Sequence, residues 1–108
     1  MNSADEWLKK GVELAKQGKY EEALEAFERA IESEPSNAEA WVLKSALLTK
    51  LGRHEDALKA YDKAVGIDSE INQPWIGKGA VLRMLGRKEE ALKSIERILE
   101  IEPRVAGD

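Results

Sequence analysis

At 108 residues and 12.0 kDa the chain has the size of one domain, and its 43% hydrophobic content can fill a core. It contains no apolar run of the ~18 residues that a membrane crossing needs, and its start, MNSADEW, is acidic where a signal peptide would be basic. Seventeen basic and 21 acidic residues leave a net charge of −4, which disfavours nonspecific attraction to phosphate backbones, and the absence of cysteine excludes disulfides and thiolate metal sites. The expectation is one soluble, cytoplasmic domain over residues 1–108, with neither nucleic acid nor membrane as a partner.

The first predicted helix opens at SADE (3–6), where Ser-x-x-Glu spacing fits a capping box, and it carries Trp7, Gly11 and Leu14. Gly18 lies where that helix must end, because glycine takes a left-handed backbone cheaply. KQGKYEEALEAFERAI (16–31) supplies a second helix that stops before Pro35. The next pair opens at SNAE (36–39), a second capping box, and runs through Trp41, Ser45 and Leu48 to Gly52. KLGRHEDALKAYDKAV (50–65) then places Ala57, Leu58, Tyr61, Ala64 and Val65 at three- and four-residue steps. The last pair opens at NQPW (72–75), with Asn72 as a cap and Pro74 where a first-turn donor would be idle. It turns at Gly86 and continues through MLGRKEEALKSIERIL (84–99) to Pro103. Each helix should run for about 12 to 14 residues.

The three phrases begin 34 residues apart, and the register holds without insertion through Trp7, Trp41 and Trp75; Lys10, Lys44 and Lys78; and Ala23, Ala57 and Ala91. This pattern resembles the tetratricopeptide repeat, with repeats at 4–37, 38–71 and 72–105. The first repeat matches almost fully, through Trp7, Gly11, Gly18, Tyr20, Ala23, Phe27, Ala30 and Pro35. The second departs at Ser45, His54 and Ser69, and the third at Lys88, Ile95 and Ile98. The resemblance implies an all-α, right-handed superhelix of three helical hairpins. Gly11 should meet Ala23 at a close helix contact, with Trp7, Leu24 and Phe27 filling the space around it.

No Gly-rich phosphate loop, Ser-His-Asp set or metal-ligand spacing is present, so neither an enzyme nor a cofactor is expected. The tryptophans could stack on bases or cage a methyl-lysine, but their identical spacing assigns them to the hairpin cores. His54 shares a column with Tyr20 and Lys88, which fits a solvated loop better than an acid or base. Glu21, Glu22, Glu55, Asp56, Glu89 and Glu90 open second helices, where the helix dipole favours them.

The resemblance also implies a concave groove built from first helices. Carried over position by position, its apolar floor comprises Leu8, Val12, Val42, Leu43, Ala46, Ile76, Ala80 and Met84. Lys9, Lys16, Lys50 and Arg83 face Asp5 and Glu39 there, leaving +2 (four minus two). Leu43 and Ala46 could equally pack against neighbouring first helices. The clamp by which relatives hold a terminal carboxylate would fall on Leu8, Val12, Leu43, Gln73 and Gly77, none of which can form it. The function expected is a protein-interaction scaffold whose partner is a peptide or helix with apolar anchors and some acidic residues. The alternative is a homodimer meeting through the last helix, where Leu92, Ile95, Leu99 and Ile101 form an outward apolar edge. An RNA-binding repeat would need a continuous basic face that this chain lacks.

Overall fold

The computed structural model describes residues 3–101; Pro103, expected to stop the last helix, lies outside them. The described residues form α1 (Ser3–Lys16), α2 (Tyr20–Ser33), α3 (Ala38–Lys50), α4 (His54–Ile67), α5 (Gln73–Met84) and α6 (Lys88–Ile101). Each odd helix packs on the even helix after it, α2 then meets α3 and α4 meets α5, and α3 touches α5. Stacking hairpins in this order gives an all-α superhelix of 41 × 28 × 22 Å.

The corners within hairpins are one structure repeated. Gly18, Gly52 and Gly86 have φ of 79°, 79° and 77°. At the second corner the Gly52 N–H donates to Thr49 O at 3.0 Å and the Arg53 N–H to Leu48 O at 2.9 Å. These are the two bonds of a Schellman motif, and they satisfy carbonyls that the helix end would leave open. Because that motif uses so few residues, α4 begins at His54. His54 is therefore half-buried in a first helical turn, with Nδ1 sealed from solvent and unpartnered, instead of standing in a solvated loop.

Helix starts depart further from the expectation. Asn37, not Ser36, caps α3: its Oδ1 accepts from the Ala40 N–H at 3.2 Å. Ser3 is itself the first residue of α1. Asn72 has helical backbone angles and makes no capping bond, and its Oδ1 is buried without a partner. Pro74 does sit in the first turn of α5. Lys19 and Arg53 precede α2 and α4 without capping them, so the paired acids of the first turns supply the favourable charge.

Packing follows the columns of the repeat. Ala23, Leu24, Phe27 and Ala30 are buried in α2, as are Ala57, Leu58, Tyr61 and Ala64 in α4. Burying each of the larger side chains stabilises by roughly 1.5 to 3 kcal/mol. Gly11 meets the Phe27 ring, which occupies the space a Cβ would need. Ser45 occupies the Gly11 column in the second repeat, fully buried and donating to Trp41 O at 2.6 Å. The Tyr61 ring instead lies against Gly77 of the following repeat. The tryptophans are half-buried at the core margin: Lys10, Lys44 and Lys78 lie over Trp7, Trp41 and Trp75 at 5.2, 5.4 and 5.5 Å from the ring centres. Two indoles also tie hairpins together, Trp41 Nε1–H donating to Pro35 O and Trp75 Nε1–H to Ser69 O.

Replacing Gly52 with valine should cost on the order of 1 to 2 kcal/mol, the strain of a β-branched residue in a left-handed backbone. Chemical denaturation of the two proteins measures it, and equal midpoints would refute the assignment of strain to this corner. Burial pushes the Tyr61 phenol above its ordinary value of 10.0, against a smaller opposing effect of its hydrogen bond with the Thr49 side chain. The folded value is raised, so this stability is complete below about pH 10 and is lost as pH climbs through the folded value. Melting the protein at about pH 8 and about pH 11 should show a drop that is smaller in Tyr61→Phe.

Candidate functional site

First helices α1 and α3 run side by side along the inner face, and two adjoining hollows lie between them. The first, about 320 Å³, is lined by Val12, Ala15, Leu43, Ala46 and Leu47, with Lys16 and Lys50 at its rim. Tyr20 and Phe27 of α2 form its back wall. The second, about 520 Å³, shares Val12 and Leu43, adds Leu8 and Lys9, and is bordered by Asp5, Glu13 and Glu39. Val12 and Leu43, both half-buried, form the ridge between the two.

Helix chemistry gives this groove its polarity. Asp5 and Glu39 stand in the first turns of α1 and α3, and Lys16 and Lys50 in their last turns, where each sign suits the helix dipole. Lys16 and Lys50 of the expected basic edge thus stand together at one end, while Lys9 shares the other with Asp5 and Glu39. Glu13, absent from the positions that the repeat suggested, borders the second hollow one turn before Lys16. Lys16 lies 3.8 Å from Glu13 with both groups well exposed, a pairing too weak in water to neutralise it. Lys50 Nζ stands 5.7 Å from the centre of the Tyr20 ring, which fixes a cation beside the apolar hollow.

The structure brings together Leu8, Lys9, Val12, Lys16, Leu43, Ala46 and Lys50, but not all in the expected roles. Leu8 and Val42 are only 6% and 7% exposed, so they are core residues and not an open floor. Their column explains why: Ile76, in the same place on α5, is 52% exposed because no further hairpin lies against it among the described residues. Leu43 is half-buried against the core, whereas Ala46 is exposed. Ala80, Arg83 and Met84 are exposed on α5 and line neither hollow. At the last helix Leu92, Ile95 and Leu99 are exposed, but Ile101 is half-buried and does not belong to the open stripe.

Tyr20 and Glu13 were missed by position counting. Tyr20 belongs to a second helix, which the repeat assigns to the outer layer. Glu13 had a readable signal: its column holds Leu47 and Val81, both buried, so an acid there breaks an otherwise apolar column.

A tetratricopeptide-repeat family model matches residues 8–70, and a second one of the same description matches residues 73–105. No curated protein sequence matches the chain significantly. Among solved structures, the second tetratricopeptide domain of Spaghetti (RPAP3) bound to the HSP90 peptide SRMEEVD is 27% identical with a TM-score of 0.87, over 93% of each chain. The first such domain of the same protein, bound to the same peptide, is 29% identical with a TM-score of 0.88, over 94% of this chain and 82% of the other. The first domain of human RPAP3 is 28% identical with a TM-score of 0.88, over 94% and 80%.

The burial difference predicts opposite outcomes for one chemical change. Val42→Glu places an unpaired charge in the core and should cost about 3 kcal/mol or more. Ala46→Glu, four residues along the same helix, should stay within about 0.5 kcal/mol of the parent. Urea titrations of both variants decide it, and equal losses would show that Val42 does not face the core.

Proposed function

The chain belongs to the tetratricopeptide repeat family, and on that premise we propose that it is a non-enzymatic scaffold holding an extended peptide across the α1–α3 groove. The observation that carries this reading is the apolar hollow of Val12, Leu43 and Ala46 rimmed by Lys16 and Lys50. An exposed apolar hollow costs free energy while it faces water, and an aliphatic side chain seated there removes it. The lysine rim orients the ligand, drawing carboxylates to one end while Asp5 and Glu39 repel them from the other.

The peptide-bound neighbours support the class of ligand. They do not supply its identity, because Leu8, Val12, Leu43, Gln73 and Gly77 stand where a terminal-carboxylate clamp would be. Leu8 is also buried, and Gly77 has the Tyr61 ring against it. Recognition here rests on an internal aliphatic anchor followed by Asp or Glu, with no need for a free C-terminus.

Selection from a displayed library of random peptides should enrich an aliphatic residue beside one or two acids. Ala46→Glu should abolish capture of the enriched peptide, and Lys16→Glu with Lys50→Glu should weaken it by about tenfold or more. Enrichment of peptides that bind the Ala46→Glu protein equally well would place the ligand elsewhere and overturn the reading.

A further inference from the structure

The boundaries between hairpins follow a rule that the last hairpin leaves unmet. At each boundary a second helix is covered by the next first helix. Leu24 and Leu58 are 7% and 6% exposed, and Leu92 in the same column is 58% exposed. Phe27 and Tyr61 are likewise buried, and Ile95 is open. Ile76, Leu92, Ile95 and Leu99 together form the uncovered end.

The same boundaries carry a periodic set of ion pairs. Glu28 of α2 pairs with Lys44 of α3 at 3.4 Å, and Asp62 of α4 with Lys78 of α5 at 2.6 Å. Glu21 pairs with Arg53 at 2.6 Å, and Glu55 with Arg87 at 3.2 Å. Every one joins an acid of one repeat to a base of the next. Glu96 and Glu89 stand in these two acid columns on α6, and among the described residues neither has an ion-pair partner.

We propose that this end of the stack docks a basic amphipathic helix of a partner protein. The covering helices define its chemistry. α3 offers Ala40, Leu43 and Leu47 with Lys44, followed by Leu51 at its C-cap, and α5 offers Pro74, Gly77 and Val81 with Lys78, followed by Leu85 at its C-cap. The docked segment therefore carries small or aliphatic residues at i, i+3 and i+7 of a helix with a lysine at i+4, an aliphatic residue at i+11 where the helix ends, and a second base at i+13, just past a glycine corner. Its apolar side covers Leu92 and Ile95, its lysine meets Glu96 and its second base meets Glu89.

A second copy of this chain fits the end less well in either arrangement. Head to tail, the columns that should cover Leu92 hold Glu6, Lys9 and Glu13 on α1, all exposed and polar. End to end about a two-fold axis, antiparallel α6 helices set the Glu89 and Glu96 flank against itself, with only Lys93 to offset it. The groove of α1 and α3 has no lining residue on α5 or α6, so this site is separate from the proposed peptide site.

The probe is a labelled peptide of about 17 residues bearing Ala, Leu, Leu and Leu at i, i+3, i+7 and i+11, with Lys at i+4, Gly at i+12 and Arg at i+13, and otherwise rich in Gln and Ala. Its control has Glu at both charged places. Titration by fluorescence anisotropy should show the wild type preferring the basic peptide, and Glu89→Lys with Glu96→Lys reversing that preference, each by about tenfold. The Ala46→Glu groove variant should bind like wild type. Absence of binding at millimolar peptide, or equal binding of both peptides, overturns the proposal. So does a wild-type dimer in light scattering that Leu92→Glu with Leu99→Glu disperses, since the end is then covered by its own copy.

Discussion

A helical hairpin has two apolar faces and only one partner of its own. In this chain each first helix covers the second helix before it, and every other feature of the molecule follows from that arrangement. Tyr61 shows the constraint at one residue. Its ring lies over Gly77, where a side chain of any size would displace it, so α4 and α5 fit in a single register. Phe27 makes the same kind of contact inside its own hairpin, against Gly11, because the first repeat has glycine where the second has Ser45. One aromatic column thus serves two different joints, and the residue opposite decides which.

Electrostatics marks the boundaries without carrying their stability. The pairs Lys44–Glu28, Lys78–Asp62, Arg53–Glu21 and Arg87–Glu55 have at least one well-exposed member, and pairs of that kind contribute little in water. Their regularity matters more than their strength. Each pair is satisfied when neighbouring hairpins stand in the native register and is broken by a shift of one turn. The two ends of the stack differ in this respect. α1 carries the exposed Glu6, Lys9 and Glu13 where inner helices carry apolar residues, and α6 exposes Leu92, Ile95 and Leu99.

The groove shows how function can grow from the requirements of folding. Acids in first turns and bases in last turns stabilise each helix separately. Because α1 and α3 lie alongside in the same sense, their favourable charges add to a field along the groove, acidic at Asp5 and Glu39 and basic at Lys16 and Lys50. The apolar ridge of Val12 and Leu43 runs between those ends. The proposed peptide would meet direction as well as attraction there.

Most of the architecture was legible in the chain itself. A 34-residue period, a glycine at each corner and small residues at fixed offsets determine six helices in three hairpins, because local backbone preference and helical periodicity are encoded by residues near one another. Which residue caps a helix was less legible: Ser36 and Asn37 are adjacent and both can cap, and only the path of the chain into α3 selects Asn37. The status of Leu8, Val42 and Ile76 could not be read from any one of them. All three are aliphatic residues at the same place in a repeat, and what separates two core residues from an open one is whether another helix lies beyond. The sequence by itself determined the elements and the periodic chemistry of their faces. Burial, the division of the groove into an acidic and a basic end, and the uncovered acids of α6 were decided by tertiary structure, because each depends on neighbours supplied by a different repeat.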